Sequence, residues 1–298
     1  MDDRHVGVLG ARSLVGECLL PILLEAGWKV TALSRQSMVS THPGLEWRQW
    51  PANGMNVDCP IEHWISLLPI WILPEFFSLL ERYGARRVVA LSSTSRFVKV
   101  ESSEAWEREQ AALLAGGEQG LQEWAEPAGK QWVVFRPTLV YGLGRDKNIA
   151  EIARFIQRFG FFPLFAGGRG LRQPIHASDV AKVCAAVVGN VAAANRAYDI
   201  SGADTLTYRD MVVEVFRGLG RRPRLVPVPL WSARVALSLV RLHPRYRHWS
   251  IAMLERMGQD LVFDHKDAAH EFGFLPAAFV VRSADLPAAG SKAQAAYR

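Results

Sequence analysis

Gly10, Ser13 and Gly16 stand three residues apart directly behind the apolar run at 6–9, and helix-spaced apolar residues follow from Leu14. The three small residues therefore fall in a turn between a strand and a helix. Such a turn suits a phosphate: glycine lets the backbone bend and approach the ligand closely, and a helix N-terminus offers amide N–H groups at the positive end of its dipole. Ser13 stands where a further glycine is usual, but its small side chain still admits phosphate and can donate a hydrogen bond. The spacing alone is a weak signal, and a βα turn with no ligand remains the other reading. The strand–turn–helix context points to the phosphate cradle of a dinucleotide-binding fold. At the end of the next strand the residues are Ala32, Leu33, Ser34 and Arg35. An NAD site usually places Asp or Glu there, accepting from the adenine-ribose hydroxyls. Here no acid is present, whereas Arg35, with Arg12 inside the turn, offers guanidinium forks suited to a 2′-phosphate. The residues favour NADP(H) over NAD(H), against the alternative of two ordinary surface arginines.

The elements that must position this turn alternate between β-rich and helical runs through the first half of the chain, the pattern of a parallel sheet flanked by helices. Strands are predicted near 5–9, 29–33, 45–50, 63–67, 87–91 and 132–136, and helices near 14–25, 71–83 and 104–124. Gly27, Gly84 and the turn at 127–129 punctuate them. Beyond lie an amphipathic helix at 149–159, a Gly-rich hairpin-like stretch at 166–170, a helix at 179–188, an extended run at 196–200 and a helix at 208–218. The expected fold is α/β: a Rossmann-like, doubly wound parallel sheet with a smaller C-terminal α/β substrate lobe. The dinucleotide-binding domain is placed at 1–145 with a returning segment near 172–200, the interleaved small lobe at 146–282, and a loose tail at 283–298.

With 298 residues, 49% of them hydrophobic and 21% charged, the chain has ample material for a buried core, and global disorder is excluded. The net charge of +6 favours anionic partners. The opening residues enter a strand almost at once, with no basic and apolar leader, so no signal peptide is expected. The apolar stretch at 65–80 is short for a spanning helix and carries Pro69 and Pro74. Three cysteines, Cys18, Cys59 and Cys184, stand far apart without metal-type spacing, and read as reduced thiols of a cytoplasmic protein with no metal site.

Four blocks in order, VLGARSLVG at 8–16, VVALSSTSRF at 88–97, FRPTLVYG at 135–142 and GRGLRQPIHASDVA at 168–181, resemble the extended short-chain dehydrogenase/reductase superfamily in its NAD(P)-dependent epimerase/dehydratase branch. The resemblance spans roughly residues 5–280. It implies oxidoreductase or epimerase chemistry on a nucleotide-sugar-like substrate, a nicotinamide cofactor, and dimerisation through two helices. It also implies a cofactor site at Gly10, Arg12, Ser13, Leu14, Val15, Gly16, Ser34, Arg35, Leu68, Pro69, Ser92, Pro137 and Val140. Ser93 corresponds to the residue that hydrogen-bonds the substrate oxygen, with Thr94 beside it, and Arg172 to the arginine that clamps a substrate pyrophosphate. His176 and Asp179 read as structural residues holding the lobes together.

The chain departs from the family at its catalytic Tyr-x-x-x-Lys pair, whose spacing puts phenol and ammonium on one helix face. No tyrosine occurs between Tyr83 and Tyr141. By register, Gln110 and Leu114 take the vacated positions, with Trp106 nearby. Tyr141 is the candidate for a displaced acid, although a packing tyrosine is the plainer reading. Glu107 or Glu109 could act as a base from the same helix, although a glutamate facing solvent is the plainer reading of each. Tyr83 and Arg87 run from a helix end into a strand and are not expected to share a face.

From Glu214 to Glu255 no acidic residue intervenes, while arginines gather at 217, 221, 222, 224, 234, 241, 245 and 247. This stretch, 217–247, reads as part of a lobe facing a diphosphate, as a basic amphipathic surface for peripheral contact with a membrane or a membrane complex, or as a merely solvated basic face. No nucleic-acid module accompanies it, so nucleic acid is not expected as a partner. Two functions stand open. One is an epimerase, dehydratase or reductase with atypical catalytic residues. The other is a non-catalytic NADP(H)-binding regulatory or accessory protein, such as a redox sensor or a subunit of a membrane complex.

Overall fold

Strands buried on both faces read as nearly continuous apolar runs, and those runs form the sheet. The computed structural model of the chain describes residues 4–40, 42–50, 59–190, 194–229, 232 and 250–288. Its first half comprises strand β1 (His5–Leu9), helix α1 (Leu14–Glu25), β2 (Lys29–Ser34), β3 (Leu45–Gln49), β4 (His63–Ser66), a 3-10 segment (Ile70–Phe76), α2 (Phe77–Arg82), β5 (Arg87–Leu91), α3 (Ser95–Val98), α4 (Ala105–Ala125) and β6 (Gln131–Pro137). The second half continues with β7 (Val140–Tyr141), α5 (Ile149–Phe159), β8 (Phe162–Phe165), β9 (Leu171–Arg172), β10 (Ile175–His176), α6 (Ala177–Val188), β11 (Arg196–Ile200), β12 (Leu206–Thr207), α7 (Tyr208–Gly218), β13 (Leu225–Val228), α8 (Ile251–Glu255) and α9 (Lys266–Phe272).

Seven strands form one parallel sheet in the order β11-β6-β5-β4-β1-β2-β3. The α/β, Rossmann-like expectation holds. The strand order reverses between β1 and β4, which opens a crevice at their carboxyl ends. On one face α1 and α6 pack over Val6, Val8, Val30, Ile65 and Val133. The other face is covered by α4, α2 and the 3-10 segment, over Leu9, Trp64, Val88 and Val134. Gly7 makes room for Trp64, since a Cβ there would lie 2.3 Å from the indole ring.

A separate apolar cluster joins α5, β8 and α7, with Phe155, Phe162, Met211, Val215 and Phe216 at its centre, and receives Leu254 and Met257 from the C-terminal part. Small two-stranded pairings tie this lobe together: β13 with β8 and β12 with β9. Meanwhile β11 returns to the edge of the main sheet beside β6.

Three local expectations are corrected. The single helix expected at 71–83 is a 3-10 segment followed by α2, because Pro74 lacks the N–H that would continue an α-helix. The stretch at 166–170 is a 3-10 turn at Ala166–Gly168 with Gly167 and Gly168 at positive φ, not a hairpin. The expected loose tail is packed where it begins: Ser283–Asp285 form a capped turn, and buried Asp285 accepts from the His176 ring at 3.0 Å. Residues 289–298 lie outside the described residues, as does most of the basic stretch at 217–247; of the described part, Leu225–Val228 is a strand of the small lobe. Among the described residues no helix is long and apolar enough to cross a membrane.

Candidate functional site

The Gly-rich turn is built as its residues require. Gly10 has φ +74°, in the left-handed region, and a Cβ on it would lie 3.0 Å from the Leu67 carbonyl carbon. At Gly16 a Cβ would lie 2.3 Å from the Ala11 carbonyl oxygen. Ser13 caps α1, its hydroxyl oxygen accepting from the Gly16 N–H at 3.1 Å. A capping hydroxyl keeps its own proton to donate. The amides of Leu14 and Val15 begin the helix, where no intrahelical acceptor exists. A backbone cradle that a side chain would fill, at the head of a helix, fits a pyrophosphate.

From this turn a cleft of about 2480 Å³ runs between sheet and small lobe. It is lined by Gly10, Arg12, Ser13, Leu14, Ser34, Arg35, Leu68, Ser93, Thr94 and Val140, and by Arg172. A recess of about 410 Å³ adjoins it and adds Val15, Pro69, Ser92 and Pro137. Thus every residue expected to bind cofactor or substrate lines one or both spaces, except Gly16, whose role is to let the turn close. Arg12 and Arg35 are both exposed at the end of β2, and Arg12 donates to Gln36. No carboxylate follows β2, in keeping with the sequence.

The serine-rich strand end is ordered by local bonds. Ser93 Oγ accepts from the Ser95 N–H at 3.1 Å, and buried Thr94 donates from its hydroxyl to the Pro137 carbonyl at 3.3 Å. Ser92 points the other way and donates to buried Glu118, which also receives Arg96 and Arg136. Arg172 is buried, with its guanidinium over the Tyr208 ring at 5.4 Å. It donates to the carbonyls of Leu171 and Gln259 at 2.7 Å each and to that of Arg256. These bonds use three of its five N–H donors. Burial lowers its pKa to about 10, so it stays charged at neutral pH.

Tyr141 is not brought to the cleft. Its ring packs edge-on against His176 and Phe279, its hydroxyl donates to the Val280 carbonyl at 3.4 Å, and burial pushes its pKa up to about 12. A displaced acid must reach the substrate, so the packing reading of Tyr141 replaces the catalytic one. His176 and Asp179 hold elements together: His176 caps α6, and Asp179 accepts from the Ala277 N–H at 3.0 Å. Tyr83 and Arg87 are both core residues. Leu114 faces the core from α4, and Gln110 lines the cleft.

Glu107 is corrected. Far from facing solvent, it is fully buried and grips Arg256 of the small lobe through two hydrogen bonds of 2.5 and 2.6 Å, with Ser102 donating at 2.5 Å. Burial pushes its carboxyl up, but the bonds from Arg256 and Ser102 outweigh this and hold it below the usual carboxylate range. A second residue escaped the sequence reading. Lys99, just past α3, lines both cleft and recess and donates to Gln110 Oε1 at 2.8 Å. It is the sole lysine between Lys29 and Lys130, and it lies six residues past Ser93; that was the available signal. Among the described residues no group of His, Cys, Asp and Glu is arranged to hold a metal ion.

Residues 75–201 match the NAD dependent epimerase/dehydratase family. The chain is 24% identical over 137 residues to a UDP-glucose 4-epimerase of Vibrio cholerae, covering 46% of this chain and 42% of that protein. It is 27% identical over 102 residues to the mitochondrial NADH dehydrogenase [ubiquinone] 1 alpha subcomplex subunit 9 of Arabidopsis thaliana, covering 34% and 25%. The matches thus span less than half the length of these relatives. In fold, the chain is similar to MoeE5, solved in complex with UDP-glucuronic acid and NAD, with a TM-score of 0.67, 20% identity, and coverage of 94% of this chain and 96% of that one.

Proposed function

For a chain identified through residues 75–201 with the NAD dependent epimerase/dehydratase family, we propose an NADP(H)-binding epimerase, dehydratase or reductase of nucleotide-sugar-like or other phosphorylated substrates. The observation that carries this reading is one continuous cleft whose walls include the cradle for pyrophosphate, Ser93, Thr94 and the buried cation Arg172. A bound nicotinamide supplies hydride chemistry at a carbinol or carbonyl carbon. Gly10, Ser13 and the amides of Leu14 and Val15 hold the pyrophosphate. Arg12 and Arg35 take the 2′-phosphate. Pro69, Ser92, Pro137 and Val140 shape the nicotinamide recess, Ser93 orients the substrate oxygen with Thr94 fixing the backbone beside it, and Arg172 meets a substrate phosphate. NAD bound to the structural relative MoeE5 and the UDP-sugar chemistry named for the Vibrio relative support this class of ligand. The cytoplasmic location expected from the cysteines belongs to the same reading.

A second reading keeps the cofactor and drops turnover, making the chain a regulatory or accessory subunit. It is favoured by Gln110 and Leu114, neither of which can act as acid or base, and by the likeness to the plant NADH dehydrogenase subunit. Titration with NADPH and NADH, followed by cofactor fluorescence and thermal stability, tests the shared premise. Tight NADPH binding is expected, weakened in Arg35→Ala; binding of neither cofactor would refute both readings. A screen of UDP-sugars for turnover then separates enzyme from subunit.

A further inference from the structure

We infer that Lys99 is a catalytic residue of the cleft, its ε-amino group taking and returning the substrate hydroxyl proton. The inference rests on the enzyme reading above. Three observations support it. The first is position: Lys99 follows the short helix α3 that begins at the Ser92–Thr94 strand end, and it lines both the main cleft and the recess alongside Ser93, Leu14 and Val140. The amine therefore stands at the junction of the spaces proposed for substrate and for nicotinamide.

The second is orientation. Nζ donates to Gln110 Oε1 at 2.8 Å and sits 5.5 Å from the centre of the Trp106 ring. Gln110 occupies the α4 face on which a Tyr-x-x-x-Lys pair would stand. An amide oxygen there has no proton chemistry of its own, but it fixes a neighbouring amine. A neutral amine can donate one N–H to Gln110 and keep its lone pair for a substrate proton; an ammonium keeps the same bond and has two further protons to give.

The third is charge. Burial lowers the Lys99 pKa from its ordinary value, and Arg256 and Lys147 add to this, while Glu107 opposes it. The Glu107 carboxylate is already held by two hydrogen bonds from Arg256, so the pair offers the amine little net negative charge. A lysine desolvated in this way is suited to act as a general base.

The step balances with a nicotinamide dinucleotide as the hydride partner. In the oxidative direction the substrate O–H bond breaks and its proton passes to the neutral amine. The adjacent C–H bond breaks, its hydrogen leaving with the electron pair as hydride to the oxidised nicotinamide. A C=O bond forms and Lys99 becomes an ammonium. In the reductive direction the ammonium returns the proton to the oxygen as hydride returns to carbon.

The test is a lysine titration on the full chain. Reductive methylation with ¹³C-formaldehyde makes each lysine visible by NMR, and Lys99→Gln and Lys99→Arg, prepared separately, identify the Lys99 signal by its disappearance. Lys99 is expected to titrate below exposed Lys29, and its signal to move when NADPH is added while that of Lys29 stays. Cofactor fluorescence on the same wild-type sample is expected to report NADPH binding. If NADPH binds but Lys99 titrates together with Lys29 and does not respond, the inference falls alone. If wild type binds neither NADPH nor NADH, the enzyme reading falls and takes the inference with it.

Discussion

Replacing Glu107 with alanine should destabilise the chain far more than replacing its neighbour Glu109. Glu107 is fully buried, whereas Arg256, its partner across the cleft, keeps 16% of its side chain exposed. Removing one member of a buried ion pair strands the other charge and costs 3–5 kcal/mol; water reaching Arg256 recovers part of this, so about 2–4 kcal/mol is expected. Glu109 lies on the exposed face of α4 and should change stability by no more than about 0.5 kcal/mol. The double variant Glu107→Leu/Arg256→Met, which leaves no unpaired charge, should recover most of the loss. Urea unfolding followed by tryptophan fluorescence measures all four proteins.

The pH dependence of the same experiment follows from the sign of the shift. The folded-state pKa of Glu107 is depressed, since the bonds from Arg256 and Ser102 outweigh burial. A depressed carboxylate contributes stability that is full above its unfolded pKa and is lost as pH falls through the folded one. The gap between wild type and Glu107→Ala should therefore be widest at neutral pH and close in acid, below the ordinary carboxylate range. A gap at neutral pH no larger than that of Glu109→Ala, or one that stays constant into acid, would refute the view of this pair as the clasp between the sheet and the small lobe. Because the Arg256 carbonyl also accepts from Arg172, the alanine variant should weaken phosphate-bearing ligands beside Arg172 as well.

Further outcomes are expected elsewhere in the site. Gly10→Ala forces a side chain into the left-handed region against the Leu67 carbonyl, costing about 1–2 kcal/mol in backbone strain and abolishing the NADPH thermal shift. Arg35→Ala should weaken NADPH about 10- to 150-fold, the worth of a charge-assisted hydrogen bond, and leave NADH unchanged by fluorescence titration. Tyr141→Phe loses one long hydrogen bond and should cost no more than about 1 kcal/mol by urea unfolding, with cofactor binding intact. In a spectrophotometric titration the Tyr141 phenol, pushed up to about 12 by burial, should remain protonated through neutral pH.

Much of the fold was legible because its signals are local. The parallel strands are apolar runs, α1 carries its serine cap, and Gly10 announces a turn that few other residues can make. The break at Pro74 is equally local, since a proline inside a helical run removes an N–H. The cofactor half of the site followed from the same turn, whereas the residues across the cleft did not, because topology brings them together from distant parts of the chain: Glu107 meets Arg256, and Glu118 meets Arg96 and Arg136. Yet half of each contact was written into α4. Apart from Gly117, its buried positions run Glu107, Ala111, Leu114, Glu118, Leu121 and Ala125, alternating steps of four and three residues, so both glutamates stand in the apolar stripe that faces the core. A carboxylate in that stripe cannot be left without a partner. Periodicity therefore requires a cation opposite each one, and the fold decides which arginines supply it. The stripe that buries Glu107 also places Gln110 one turn along and off it, on the side of the cleft, where it meets Lys99. The clasp between the lobes and the proposed proton-transfer residue are thus set by one helix register.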